Sequence, residues 1–257
     1  MSPSVAENKQ GILDDCKNRA ITVEHLPFYY HVHLNMPCNQ RCIMCVPDGH
    51  HRKDLLPFDK FVAFFEQIKP YAEHITLIGG EPLMYPWIDA VLDFLAQRPI
   101  TVTINTNATM LKGAIAQKML SLHELFLKCS IDAVTRSTYY KIRGTDWFAR
   151  VTTNLATFSA AVRDKPHIHV ELMYVVMREN LHEVLPFIDF AKDLHPYCVQ
   201  FQPVKHVLDW HTTNGTGWIF DSKEQCGEFF RDEYNNVMRQ AAEKCSQAGM
   251  KYEVQLV

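Results

Sequence analysis

The chain has 257 residues, 47% hydrophobic and 21% charged, enough apolar material for one sizeable core, so one domain is the default expectation. Its formal net charge of −3, with the signs interspersed, offers no basic stripe, so nucleic acid is not expected as a partner, nor is a membrane. No apolar run is long enough to span a bilayer and the first ten residues lack the apolar centre of a signal peptide. A cytoplasmic location with eight reduced cysteines is expected.

Residues 1–26 are polar and weakly patterned and read as an N-terminal extension with a short helix near 12–20. Residues 28–35 are aromatic and β-branched, which predicts a strand running straight into a cysteine-bearing loop. Phe61, Val62, Phe64, Phe65 and Ile68 recur at helical spacing, and Pro70 ends that helix. Strands are predicted at 74–78, closed by Gly79 and Gly80, and at 101–105, 124–132, 167–176 and 197–204. Helices are predicted at 87–97, 110–121, 148–162 and 181–194. The stretch 209–217, rich in Trp, Thr, Asn and Gly, reads as a loop, followed by one long helix over 222–248 and a terminal strand over 251–256.

Strands alternating with helices at this interval predict an α/β fold with right-handed crossovers and a parallel sheet. Six units are too few for a closed eight-stranded barrel. The expectation is a partial (β/α)6 TIM-like barrel over 27–205, with functional loops at the carboxyl ends of its strands, and with 206–257 completing or capping it.

Cys38, Cys42 and Cys45 lie on the loop after the first strand. Three thiolates at this spacing suit an iron-sulfur cluster, because soft sulfur ligands select iron-sulfur, zinc or copper(I) over hard cations. A cubane has four irons, so three cysteines leave one iron open to chemistry. A zinc site, which usually takes four ligands with paired Cys-x2-Cys spacing, and plain coincidence are the alternatives. Cys129 and Cys198 sit in apolar strand patterns as small hydrophobes, and Cys226 and Cys245 lie on the predicted long helix.

Gly79-Gly80-Glu81-Pro82 follows the second strand. Its glycines let a backbone approach a ligand, and its carboxylate can accept from an ammonium group, although a tight turn with a surface glutamate reads equally well. Thr106-Asn107-Ala108 follows the third strand, and Ser130-Ile131-Asp132 with Ile142-Arg143-Gly144 follows the fourth. Asp132 reads equally as the cap of the next helix.

The triplet spacing and these segments, in this order on successive β-α units, resemble the radical S-adenosylmethionine (radical SAM) superfamily over about 28–204. In motif style they are closest to its SPASM/Twitch branch. The resemblance implies a [4Fe-4S] cluster on Cys38, Cys42 and Cys45, which act catalytically through it, and S-adenosylmethionine (SAM) as the second cofactor. It places the backbone of Met44 at the adenine, Gly79, Gly80 and Glu81 at the amino group, and Thr106 and Asn107 near the cofactor. Ser130 and Arg143 fall at the carboxylate, where a guanidinium fork donates two parallel hydrogen bonds. Ala108 departs from the family's usual glycine. After Val204 only Cys226 and Cys245 remain, so no auxiliary-cluster domain is evident.

The implied activity is reductive cleavage of SAM to a 5′-deoxyadenosyl radical, which abstracts hydrogen from a peptide, protein side chain or small molecule. An electron donor such as flavodoxin or ferredoxin is the implied partner. The alternative is a non-catalytic iron-sulfur scaffold that binds a partner. His31 and His33 make one face of the first strand polar. His50 and His51 read as solvated loop, and Trp210 and His211 are expected to overhang the open end of the barrel near the substrate.

Overall fold

The computed structural model describes residues 4–45, 53–205 and 211–257. In chain order these form α1 (Val5–Lys17), β1 (Tyr29–Asn35), α2 (Phe58–Ile68), β2 (His74–Gly79), α3 (Ile88–Ala96), β3 (Thr101–Thr106), α4 (Gly113–Met119), β4 (Glu124–Ser130), α5 (Arg136–Arg143), α6 (Phe148–Ala161), β5 (Ile168–Val176), α7 (Val184–Leu194), β6 (Cys198–Pro203), β7 (His211–Thr213), β8 (Ile219–Asp221), α8 (Ser222–Gln225), α9 (Arg231–Gln247) and β9 (Tyr252–Val254).

β1 to β6 pair in sequence order, every pair parallel, and β9 adds a seventh parallel strand beside β6. The sheet is open, with β1 and β9 at its edges, as a partial barrel requires. Alternation along each strand separates two faces. On β4, Leu125, Leu127 and Cys129 are buried while Glu124, Phe126, Lys128 and Ser130 are less so. The buried set, continued by Leu34, Ile75, Leu77, Val102, Ile104, Val170, Leu172, Val199 and Phe201, belongs to the core that Phe61, Phe65, Leu92, Leu95, Leu155 and Phe187 of the helices complete. Each such side chain contributes about 1.5–3 kcal/mol on leaving water.

The other, inner face carries most of the strands' polar side chains among a few apolar ones, and it leads up to the loops at the carboxyl ends. Tyr29, His31 and His33 of β1 continue through register partners His74, Thr76 and Ile78 of β2 to Thr101 and Thr103 of β3, and Asn105 follows Thr103 on the same face beside Lys128 of β4. Phe126, Lys128 and Ser130, then His169, Glu171 and Met173, then Gln200 carry it across β4 to β6. Among the described residues no helix is long and apolar enough to cross a membrane.

Several elements differ from the sequence reading. The first helix begins seven residues earlier than expected because Ser4 and Glu7 form a capping box. The long helix predicted over 222–248 is broken at Cys226, whose backbone is extended, and a short 3-10 turn at Gly227–Phe229 precedes α9. Gly227 fits there because a Cβ would lie 2.6 Å from the Tyr234 ring. The loop over 209–217 contains one strand of an antiparallel hairpin, β7 with β8. Asp132 does not cap the following helix: Thr135 does, its hydroxyl accepting the Thr138 N–H.

Candidate active site

The cysteine loop leaves β1 at Asn35 and is pinned on two sides. On one side is the turn after β2, where the Gly80 N–H donates to Asn35 O at 2.8 Å and the Glu81 N–H to Pro37 O at 3.0 Å. The Asn35 side-chain amide donates to both Pro37 O and Glu81 O at 3.0 Å. A Cβ on Gly80 would stand 2.2 Å from Met36 O and Pro37 O. The sequence reading has these glycines admitting a ligand; the backbone they admit here is that of the cysteine loop itself.

On the other side is the carboxyl end of α5. The Arg41 N–H donates to Arg143 O at 3.2 Å and the Ile43 N–H to Ile142 O at 2.8 Å. Gly144 ends the helix with φ 69°, and a Cβ there would lie 2.7 Å from Arg41 O, so left-handed backbone and close approach both call for glycine. Ile43 and Ile142 share a small second core with Met177, Val204, Phe220 and Cys226, and Met44 packs against it. The β7–β8 hairpin thus buttresses the cysteine loop. Its Asn214 amide also donates to Lys141 O at 2.9 Å and Ile142 O at 3.3 Å.

Glu81 joins two of the motifs. It is 1% exposed, and its Oε1 accepts from Thr106 Oγ1 at 2.6 Å and from the Leu83 N–H at 3.1 Å, while Oε2 accepts from the Asn107 N–H at 2.7 Å. Burial pushes its pKa up and the three donors oppose the shift. Three donors of the chain thus share this carboxylate, which ties the turn after β2 to the turn after β3. Ala108 takes φ 59°, so the turn keeps a left-handed residue although glycine is absent. The Ala108 carbonyl accepts from the Asn154 amide at 2.9 Å, and the Ala108 N–H donates to Thr106 Oγ1 at 3.0 Å.

The three cysteines lie within this frame, Cys42 buried, Cys38 half-buried and Cys45 exposed. N–H donors face their sulfurs: the Gln40 N–H meets Cys38 Sγ at 3.5 Å, the Asn107 amide meets the same sulfur at 3.8 Å, and Arg143 Nη1 meets Cys42 Sγ at 3.4 Å. The Cys45 thiol donates to Cys42, which with the Arg143 charge lowers Cys42 to about 7 against the cost of its burial. The same bond raises Cys45, and burial raises Cys38 to about 11. Among the described residues no three His, Cys, Asp or Glu side chains gather where one metal ion would sit. A cubane does not ask that of them, since each thiolate takes a different iron. N–H donors on sulfur are what an anionic iron-sulfur cluster requires of its surroundings, and the group fits these residues.

Arg143 is 5% exposed and its Nη2 pairs with Asp132 Oδ2 at 2.5 Å. Asp132 is fully buried, with φ 63°, and its Oδ1 accepts from the Val175 N–H at 2.7 Å. Burial raises the Asp132 pKa and the guanidinium opposes that. Arg143 Nε has no hydrogen-bond partner among the described residues, and the Nη2–Asp132 Oδ2 pair is a close charge contact outside hydrogen-bond geometry. Ser130 ends β4 on the inner face, one strand away from Met173. Deeper on that face Glu171 Oε2 accepts from the Gln200 amide at 2.9 Å and lies 3.4 Å from Lys128 Nζ.

The structure therefore brings Cys38, Cys42, Cys45, Met44, Gly79, Gly80, Glu81, Thr106, Asn107 and Arg143 into one contact network, with Ser130 on the adjoining strand end. His31 and His33 are exposed on the inner face. His50, His51 and Trp210 lie outside the described residues, and His211 begins β7. Sequence reasoning missed Gln40, whose buried amide donates to Tyr139 Oη at 2.5 Å, and Asn35, Asn154 and Asn214. Each is an Asn or Gln whose partners are backbone or side chains far along the chain, so no local pattern marks it.

The model of the Radical SAM superfamily matches residues 37–191. Two curated relatives are similar: a probable GTP 3′,8-cyclase of Saccharolobus islandicus, 28% identical over 66% of this chain and 56% of its own, and a GTP 3′,8-cyclase of Syntrophomonas wolfei, 24% identical over 71% and 57%. The chain spans little more than half the length of these relatives. Among solved structures, Streptococcus suis SuiB bound to precursor peptide SuiA superposes with a TM-score of 0.73 at 14% identity, covering 96% of this chain and 52% of that one. The anSMEcpe structure with bound AdoMet and a Cp18Cys peptide gives 0.66 at 14% identity, covering 89% and 63%. The fold agrees over nearly the whole chain and the family model covers more than half of it: the chain belongs to the radical SAM superfamily.

Proposed function

We propose that the chain is a radical SAM enzyme, holding a [4Fe-4S] cluster on Cys38, Cys42 and Cys45 and acting on a peptide, protein side chain or small molecule. The observation that carries this reading is the interlock of the cysteine loop with the Gly79-Gly80 turn and the α5 carboxyl end, which sets N–H donors on the sulfurs. Bound there, cluster and SAM supply one-electron cleavage of a carbon–sulfur bond and hydrogen abstraction from an unactivated carbon.

The chain's own part is placement. Glu81 fixes the Gly79-Gly80 turn and the Thr106-Asn107 turn against each other, so their backbone groups face the amino end of SAM with little freedom. Met44 backbone meets the adenine. Ser130 and the open Nε of Arg143 take the carboxylate. Substrate reaches the same end of the barrel along the inner face, where His31, His33, Asn105 and Gln202 offer groups that both donate and accept, as amide-bearing substrates require. The electron comes from a small donor protein of the flavodoxin or ferredoxin kind.

Anaerobic reconstitution with iron and sulfide, followed by assay of 5′-deoxyadenosine from SAM and dithionite, tests the proposal. Deoxyadenosine formation is the expected result. Iron uptake without any SAM cleavage would instead favour a non-catalytic scaffold.

A further inference from the structure

Asp132 is held harder than a structural aspartate needs to be. Its backbone is left-handed, φ 63°, a conformation that aspartate adopts more readily than most residues but that its surroundings must still hold. Here the Val175 N–H holds Oδ1 at 2.7 Å, and the Asn180 amide holds the Asp132 carbonyl at 3.0 Å. The result is a carboxylate with no exposed surface, aimed at one guanidinium. That guanidinium turns a different nitrogen to Cys42 Sγ at 3.4 Å. One planar group thus spans a buried anion and a cluster-ligating sulfur.

We propose that Asp132 is a positioning residue that fixes Arg143 on Cys42 Sγ and, by cancelling its charge, sets the reduction potential of the cluster. The inference rests on the functional reading above and adds to it a role that SAM binding does not require. An unbalanced arginine beside the sulfur favours the reduced, more negative cluster, because a positive charge in a poorly screened site stabilises added negative charge. The Asp132 carboxylate removes most of that bias. It also holds the guanidinium so that Nη1 meets the sulfur and Nε stays open. A merely structural ion pair has no reason to place its cation on the cluster ligand.

The test is a dye-mediated, EPR-monitored redox titration of the anaerobically reconstituted chain. Asp132→Asn is expected to shift the reduction equilibrium at least about tenfold toward the reduced cluster, about 59 mV upward for one electron. Arg143→Gln is expected to shift it downward by a similar factor, and the double variant to return within about threefold of wild type. Equal potentials in all four proteins, or single variants moving in one direction, overturn the proposal.

A second measurement needs no variant to fold. In wild-type protein carrying arginine labelled with ¹⁵N in the guanidinium, electron-nuclear double resonance of the reduced cluster should show a coupled ¹⁵N. Absence of that coupling overturns the proposal as well. A wild-type chain that takes up no iron would remove the functional reading and this inference together, whereas a loaded chain with unmoved potentials removes this inference alone.

Discussion

Glu81 Oε2 accepts the backbone N–H of Asn107 at 2.7 Å, joining the turn after β2 to the turn after β3 through one buried carboxylate. The same side chain accepts from Thr106 and Leu83, so three donors converge on a group with 1% exposure. Glu81→Gln replaces one acceptor oxygen by a donor that faces another N–H. The variant is expected to lose about 1–3 kcal/mol of stability, the usual cost of a buried donor left unmatched. Urea unfolding of the metal-free protein measures it, and an unchanged midpoint contradicts the joining role.

Gly80→Ala tests the docking of the cysteine loop. The new methyl would stand 2.2 Å from two backbone carbonyl oxygens, neither of which can swing aside as a side chain does. The loop must shift, and iron affinity is expected to fall about 10–100-fold, as when other supports of a metal ligand are removed. Iron titration against the wild type reads this. Circular dichroism should show the sheet intact, since the strands themselves are untouched.

Asn214→Ala tests whether the C-terminal hairpin supports the site. The Asn214 amide satisfies the last carbonyls of α5, the helix whose end carries Arg143 and receives the cysteine loop. Loss of about 1–2 kcal/mol is expected from the Lys141 carbonyl left without this donor, while Ile142 O keeps the Ile43 N–H. Iron release to a chelator should also quicken. Wild-type release from a destabilised variant would separate the hairpin from the site.

His74 predicts an acid limb of the stability curve. Its ring lies against Thr103 Oγ1 at 2.7 Å, and burial lowers its pKa from 6.5 to about 4. Above 6.5 neither the folded nor the unfolded chain carries this proton, and the contribution to stability is complete. As pH falls from 6.5 toward 4 the unfolded chain takes up a proton that the folded chain refuses, and stability is lost. His74→Gln should therefore show a smaller drop in urea midpoint between about pH 7 and about pH 4.5 than the wild type. An equal drop contradicts the assignment.

How far the sequence carried the fold follows from where its signals are local. The strands and most helices were legible because alternation and 3.6-residue spacing are properties of neighbours, and the six β-α units appear where those patterns place them. The break in the last helix was not, because it depends on Gly227 meeting the Tyr234 ring, a packing event. The β7–β8 hairpin was hidden in a stretch whose Thr, Asn and Gly content reads as loop. Seven residues of the first helix were missed although Ser4 and Glu7 carry a capping signal that periodicity alone does not register.

The site divides in the same way. Cys38, Cys42, Cys45, Glu81 and Arg143 were legible as motif positions, and they do meet. What the motif did not reveal is who holds whom: Gly80 makes room for the cysteine loop, Glu81 faces the chain, and Asp132 pairs with Arg143 in place of capping a helix. Ala108 keeps the left-handed turn without glycine because it is buried and its carbonyl is anchored by Asn154. Such reciprocal contacts link residues tens of positions apart, and only the folded chain displays them.

The proposed function requires three thiols to share one cluster at which SAM is cleaved. The most direct measurement is 5′-deoxyadenosine formation by the anaerobically reconstituted wild type beside Cys38→Ala, Cys42→Ala and Cys45→Ala, all at matched protein concentration. Product is expected from the wild type and none from any variant. Product retained by even one of the three variants would contradict it.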